Sequence, residues 1–156
     1  MQVENLSYYE DFAVGRVIDL GTRTVTAEEI IEFATEFDPA PFHLSEEGGK
    51  DSMLGRLSAS GWHTCCIAMR MQCDAFVLRT ASRGSPGVSQ CKWLAPVGAG
   101  DTLSGVARVL SARRSASRPD MGLVAFVAEL FNQSGKPVIT IESTAMINVR
   151  EITGAS

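Results

Sequence analysis

The sequence predicts an α+β domain in which one antiparallel sheet wraps around one long helix. Three observations lead there. A broad apolar run at helical spacing opens at Ser60-Gly61 and continues to about Arg79. Four strand-like stretches follow it, separated by turn residues. The chain has 156 residues, 45% hydrophobic and 21% charged, which suits one domain with a real core and argues against disorder.

The elements follow in order. Val14-Gly15 marks a turn after Tyr8–Phe12, and Val17 to Val25 reads as a strand. Thr26-Ala27-Glu28-Glu29 is a capping box opening a helix through Ile30, Ile31, Phe33, Ala34 and Phe37. Pro39 ends that helix, because a residue before proline is pushed out of the helical region, so Asp38 sits on a bend. From Pro39 to Leu57 the chain reads as an irregular connector, with one short helical turn after Ser45 at Glu46-Glu47 and with Gly48, Gly49 and Gly55 breaking anything longer. In the long helix, Trp62, Cys66, Met69, Cys73 and Phe76 step by four and three, with Cys65, Ala68 and Val77 widening the stripe, a breadth that suggests a helix largely enclosed by other elements. Arg83-Gly84-Ser85-Pro86-Gly87 reads as a turn. Strands are expected over Val88–Leu94, Thr102–Leu110 and Gly122–Asn132, and a last one from Pro137 after the Ser134-Gly135-Lys136 hairpin turn. In that last strand Ile139, Ile141, Ala145, Ile147 and Val149 alternate with polar residues.

Charge and cysteine usage narrow the function. A net charge of −4 disfavours a nucleic-acid footprint, which needs a basic stripe. The one dense basic cluster, Arg108 to Arg118, reads first as a solvated loop and second as a phosphate contact for a nucleotide-bearing ligand. The polar start Met1-Gln2-Val3-Glu4-Asn5 does not resemble a signal peptide, and no apolar run is long enough to span a bilayer, so a cytoplasmic protein is expected, with no membrane partner. Cys65, Cys66, Cys73 and Cys91 follow no Cys-x-x-Cys spacing; reduced thiols are favoured over a zinc site built on His63 and Cys65.

The stretch Phe37 to His63 carries the chemistry. It holds an acid, Asp38, an imidazole five residues on, His43, and a glycine opening the long helix, Gly61. An acid beside an imidazole can share one water and move its protons, and a glycine at a helix start offers backbone N–H to a developing negative charge. Five extended residues cover about 17 Å, so the Pro39–Pro41 segment must turn sharply for the two side chains to meet. From spacing alone, Asp38 serves equally well as a helix-end or turn residue, His43 as a satisfied buried histidine, and Gly61 as a helix-entry glycine. Ser60 is placed as the N-cap of the long helix or facing substrate, Phe42 as pocket lining, and Trp62, Met69 and Met71 as core that shapes an acyl tunnel. His63, two residues past Gly61, is assigned to packing or an interface.

Asp38-Pro39-Ala40-Pro41-Phe42-His43 resembles the Asp-x-Asn-Pro-x-His motif of MaoC-like, (R)-specific enoyl-CoA hydratases. Ser60-Gly61-Trp62 is similar to the His-Gly-Met that opens that family's central helix, and Pro96 through Leu103 to its Pro-…-Gly-Asp-x-Leu stretch. The chain departs from the pattern at Ala40, where the motif has asparagine, and at Ser60, where histidine is usual. The resemblance implies a single hot-dog domain over residues 1–156, a sheet rolled around a central helix. It implies a hydro-lyase acting across the 2,3 double bond of an acyl thioester such as acyl-CoA. Asp38 and His43 are then catalytic, Gly61 stabilises the enolate oxygen, and Phe42, Ser60 and Trp62 contact substrate, without a metal or bound cofactor. Hot-dog domains usually pair, and an exposed strand edge needs covering, so a homodimer or larger homo-oligomer is expected.

Two other readings compete. A hot-dog thioesterase uses an acid on the central helix, and the stretch from Gly61 to Arg70 contains no Asp or Glu. A non-catalytic acyl-CoA-binding subunit needs neither Asp38 nor His43.

Overall fold

The computed structural model describes residues 5–151. Helix α1 (Ala27–Phe37), the short helix α2 (Glu46–Lys50) and the long helix α3 (Gly61–Ala75) accompany five strands: β1 (Val17–Thr24), β2 (Ser82–Trp93), β3 (Thr102–Arg114), β4 (Met121–Phe131) and β5 (Pro137–Asn148). The strands form one antiparallel sheet in the order β1-β3-β4-β5-β2, with α3 packed against it. This is the α+β arrangement that the element order predicts. No helix among the described residues is long and apolar enough to cross a membrane.

Local chemistry accounts for most boundaries. The Thr26 hydroxyl accepts the Glu29 N–H at 3.2 Å, and the Ser45 hydroxyl accepts the Gly48 N–H at 3.0 Å, each capping a helix start. The core lies between α1, α3 and the sheet, where Ile30, Ile67, Ala68, Leu103, Val124, Leu130 and Ile139 are buried. Burial of this kind contributes roughly 25 cal/mol per Å² of apolar surface removed from water.

Several expectations need correction. Gly48 and Gly49 do not break the connector; they lie within α2. A Cβ on Gly48 would stand 2.1 Å from the Pro41 carbonyl oxygen and one on Gly49 2.2 Å from the Arg56 carbonyl carbon, so both glycines serve close packing. Arg83–Gly87 is not a turn but part of β2, which pairs with β5 through register shifts on either side of Gly84 (φ +100°). Pro86 fits there because β2 is an edge strand. The basic cluster is not one loop. β3 runs on to Arg114 by pairing with β4 as far as Gly122, past a bulge between Val109 and Ser111, which leaves Arg118 in the loop beyond.

The largest correction concerns α3, which ends at Ala75 and is followed by a short 3-10 turn, Val77–Arg79. Its buried face carries His63, Thr64, Ile67, Ala68, Met71 and Gln72. Trp62 is 62% exposed and Met69 47%, and Cys66 is exposed, so the apolar stripe chosen by spacing lies mostly outside. Hydropathy misplaces the face because the inward positions include polar and small residues, Thr64, Ala68 and Gln72. Phe37, one of the apolar residues at helical spacing in α1, is likewise exposed.

Candidate active site

The Asp38–His43 segment turns as tightly as the extended-chain distance demands. The Asp38 N–H closes the last turn of α1 on the Ala34 carbonyl at 2.9 Å, and Asp38 itself leaves the helix (φ −152°) ahead of Pro39. The Ala40 N–H then bonds the Asp38 carbonyl at 2.8 Å, and Pro41–His43 forms a 3-10 turn with proline at its first position. Folded back in this way, the segment brings His43 Nε2 to 3.4 Å from Asp38 Oδ2.

Each of the two side chains is held by a second contact. His43 Nδ1 lies 2.6 Å from the Ser58 carbonyl oxygen. A carbonyl only accepts, so Nδ1 carries the proton and, in the neutral ring, Nε2 presents a lone pair toward Asp38. The Ser60 hydroxyl donates to Asp38 Oδ2 at 2.7 Å and accepts the Trp62 N–H at 3.3 Å, joining the carboxylate to the start of α3. Among the described residues, Oδ1 takes no hydrogen bond. His43 is buried, whereas the Asp38 side chain is 34% exposed, so the pair has one side in the protein and one open.

That open side is a cavity of about 470 Å³ lined by Asp38, Phe42, His43, Gly61, Trp62 and Trp93, with Leu94–Val97 along one wall. The Phe42 ring stands edge-on to His43 at 4.5 Å between centroids. Gly61 is the first residue of α3, so its N–H has no acceptor one turn back. The Trp93 indole covers this residue and donates from Nε1 to the Gly61 carbonyl at 2.8 Å. A Cβ at position 61 would sit 2.6 Å from Trp93 Cε2, so glycine is required by the indole itself.

The chain before α3 is fixed from behind. Ala59 N–H bonds the Val97 carbonyl at 2.7 Å and Ala99 N–H the Leu57 carbonyl at 3.2 Å. Arg56 grips Asp101 with two bonds, 3.2 and 2.8 Å, and Asp101 also accepts from the Gly98 N–H at 2.9 Å and Gln133 at 3.0 Å. Burial alone would push this carboxyl up; the donors from Arg56, Gly98 and Gln133 outweigh it and hold Asp101 below the ordinary carboxylate range. The guanidinium lies across Gly98, where a Cβ would come within 2.1 Å of Arg56 Cζ. The Gly-Asp of this stretch thus supports the wall that presents the Ser58 carbonyl and Ser60.

The structure brings together Asp38, His43, Phe42, Gly61 and Trp62 around one cavity, whereas Ser60 is fully buried, does not line it and acts on it only through its bond to Asp38. His63 faces elsewhere: its ring stacks on Phe33 at 4.8 Å, Nε2 lies 3.8 Å from Glu29, and Nδ1 is buried without a partner among the described residues. Cys65 instead meets Cys91, with the two sulfurs 3.6 Å apart. Two participants were missed. The Ser58 contribution is a backbone carbonyl, invisible to any reading of side chains, and Trp93 lies 32 residues from Gly61 on a strand.

A five-stranded antiparallel sheet around one long helix, with the site at the start of that helix, is a hot-dog domain. The chain belongs to the MaoC like domain family, whose pattern it matches over residues 11–127. It is similar to the crystal structure of a MaoC-like dehydratase from Rhodospirillum rubrum, at 35% identity and a TM-score of 0.83, covering 93% of this chain and 99% of the other. It is also similar to the R-hydratase PhaJ1 from Pseudomonas aeruginosa, at 19% identity and a TM-score of 0.74, covering 96% and 93%, a likeness of fold. A further relative, the Bacillus subtilis protein described as Uncharacterized protein YdeM, is 23% identical over 138 residues, covering 88% of this chain and 96% of that one.

Proposed function

We propose that this chain is a hydratase/dehydratase that adds water across, or removes it to form, the 2,3 double bond of an acyl thioester, an enoyl-CoA in the first instance. The observation that carries this reading is the 3.4 Å approach of His43 Nε2 to Asp38 Oδ2 on the wall of an open cavity that Gly61 also lines. Membership of the MaoC-like family supports the reaction class.

In the hydration direction, a water held between Asp38 and the bare Nε2 of His43 directs a lone pair at C3 of the enoyl group. Asp38 accepts a proton as the water oxygen bonds to C3, while His43 orients the water and assists the transfer. The electron pair of the double bond moves toward the thioester, and its oxygen becomes an enolate. The Gly61 N–H, at the positive end of α3, donates to that oxygen. Proton delivery to C2 from the Asp38–His43 pair re-forms the carbonyl and restores both groups. Water has then been added as OH at C3 and H at C2. Each positioned proton transfer is worth on the order of 10²–10⁴ in rate, and the backbone donor about 10²–10³. The Ser60 hydroxyl takes over the orienting task at Asp38, and Phe42 and Trp62 flank the acyl group.

A thioesterase reading is weaker, because the one acid on α3, Asp74, lies in its last turn and is paired with Arg70 at 3.1 Å. The partner beyond substrate is a second copy of this chain. β2 is an edge strand exposed along nearly its whole length, and an open edge of this kind pairs with a further strand.

The test is a panel of trans-2-enoyl-CoA substrates of increasing chain length, followed by loss of enone absorbance with product chirality determined. The proposal predicts hydration to a single 3-hydroxyacyl-CoA enantiomer. Release of free CoA without hydration would overturn it in favour of a thioesterase.

A further inference from the structure

The contact between α3 and β2 that covers Gly61 continues one step further, and the next rung consists of two thiols. Gly61 to Cys65 is four residues on a helix, about 6 Å of rise. Trp93 to Cys91 is two residues on a strand, about 6.6 Å, so both side chains lie on one face. Gly61–Trp93 and Cys65–Cys91 are therefore successive rungs of one seam, and the second brings the two Sγ atoms to 3.6 Å. Both cysteines are half-buried and line a second, mostly apolar cavity of about 570 Å³ between α3 and strands β2 and β5. The pair joins positions 26 residues apart on two different elements.

We infer that Cys65 and Cys91 form a paired-thiol modification site, which a small-molecule disulfide of the glutathione class oxidises to an intramolecular disulfide that ties α3 to the sheet edge. Cys91 lies on the exposed edge strand β2 and opens the exchange, whereas desolvation, reinforced by the neighbouring Cys91 thiol, pushes the Cys65 thiol up to about 12. The Cys91 thiolate attacks one sulfur of glutathione disulfide, the S–S bond breaks, and the first glutathione leaves with the proton that Cys91 lost. Cys65 then attacks the Cys91 sulfur of the mixed disulfide and expels the second glutathione, which takes the Cys65 proton. Two cysteines are oxidised by two electrons while one disulfide is reduced to two thiols. Contact at 3.6 Å makes the second step intramolecular, with the partner sulfur already in place. Bond formation closes the sulfurs from 3.6 Å to about 2.05 Å. Neither thiol lines the cavity assigned to the reaction.

The experiment uses the full chain in a Cys66→Ser background, which leaves Cys65 as the sole thiol of the tryptic peptide spanning 57–70. The protein is incubated with glutathione disulfide, alkylated and digested without reduction. The expected product is the 57–70 peptide linked to the 84–92 peptide, with two hydrogens lost and no glutathione retained. The thermal midpoint should rise by roughly 5–10 °C and return on adding dithiothreitol. A Cys65→Ser variant should stop at a glutathione adduct on Cys91 and show no rise. A stable adduct on Cys91 in the presence of Cys65, a link from either residue to Cys73, or an unmodified pair would each overturn the inference.

Discussion

The Ser60 hydroxyl donates to Asp38 Oδ2 at 2.7 Å while accepting the Trp62 N–H, so one side chain both caps α3 and aims the carboxylate. A bond of this kind to a charged acceptor is worth about 1.5–3 kcal/mol. Ser60→Ala should therefore lower kcat roughly 10- to 100-fold with little change in KM. The lost cap should also reduce stability by about 1 kcal/mol. Ser60→Thr, which keeps the hydroxyl, should recover most of both. Steady-state kinetics beside chemical denaturation separates the two effects.

Trp93 leaves no room for a side chain on Gly61. Gly61→Ala should destabilise the protein by about 1–3 kcal/mol through overpacking. In a Trp93→Ala background the same substitution should cost under about 0.5 kcal/mol. A double-mutant cycle in urea measures the difference. Equal penalties in both backgrounds would contradict the contact.

Two buried groups, His63 and Asp101, contribute to the acid side of the stability profile. Burial, which outweighs the attraction of Glu29, holds His63 below its ordinary value of 6.5. The unfolded chain then binds this proton at a higher pH than the native one. Stability from this group is complete above pH 6.5 and falls as pH drops through the lowered native value. His63→Phe, which keeps an aromatic stack on Phe33, should flatten that part of the profile. Asp101, held below 3.8 mainly by Arg56 against its own burial, acts further down. Its contribution is complete above pH 3.8 and is lost as pH falls through its native value. Asp101→Asn should flatten the profile there and lower stability at pH 7 by about 1–3 kcal/mol. Urea midpoints between pH 8 and pH 2 report both.

The open edge of β2 calls for a second copy. Sedimentation at micromolar concentration should give at least a dimer, and Val88→Lys, at a 59% exposed position on that strand, should weaken it. A compact monomer for the parent chain would contradict this.

The sequence carried much of this. Thr26-Ala27-Glu28-Glu29 and Pro39 bracket α1 because capping and proline sterics are local, and the Asp-Pro-Ala-Pro-Phe-His segment identifies its own turn. The outward face of α3 was not legible. Trp62 and Met69 look like core by hydropathy, while Thr64 and Gln72 are inside because tertiary packing, not periodicity, chose the face. Bulges hid β2 in the same way: Gly84 and Pro86 signal a turn locally, and only pairing with β5 makes them a strand. Ser60 was recognised as a cap, but its bond to Asp38 joins residues 22 positions apart, a distance no motif spans.

The central claim is that Asp38 and His43 together activate one water for addition to an enoyl thioester. The most direct measurement is crotonyl-CoA hydration by the Asp38→Asn variant, followed at the enone absorbance, beside its affinity for the same thioester by calorimetry. The account predicts turnover lowered by at least about 10²-fold with binding retained. Turnover within about threefold of the parent chain, with the fold intact, would contradict it.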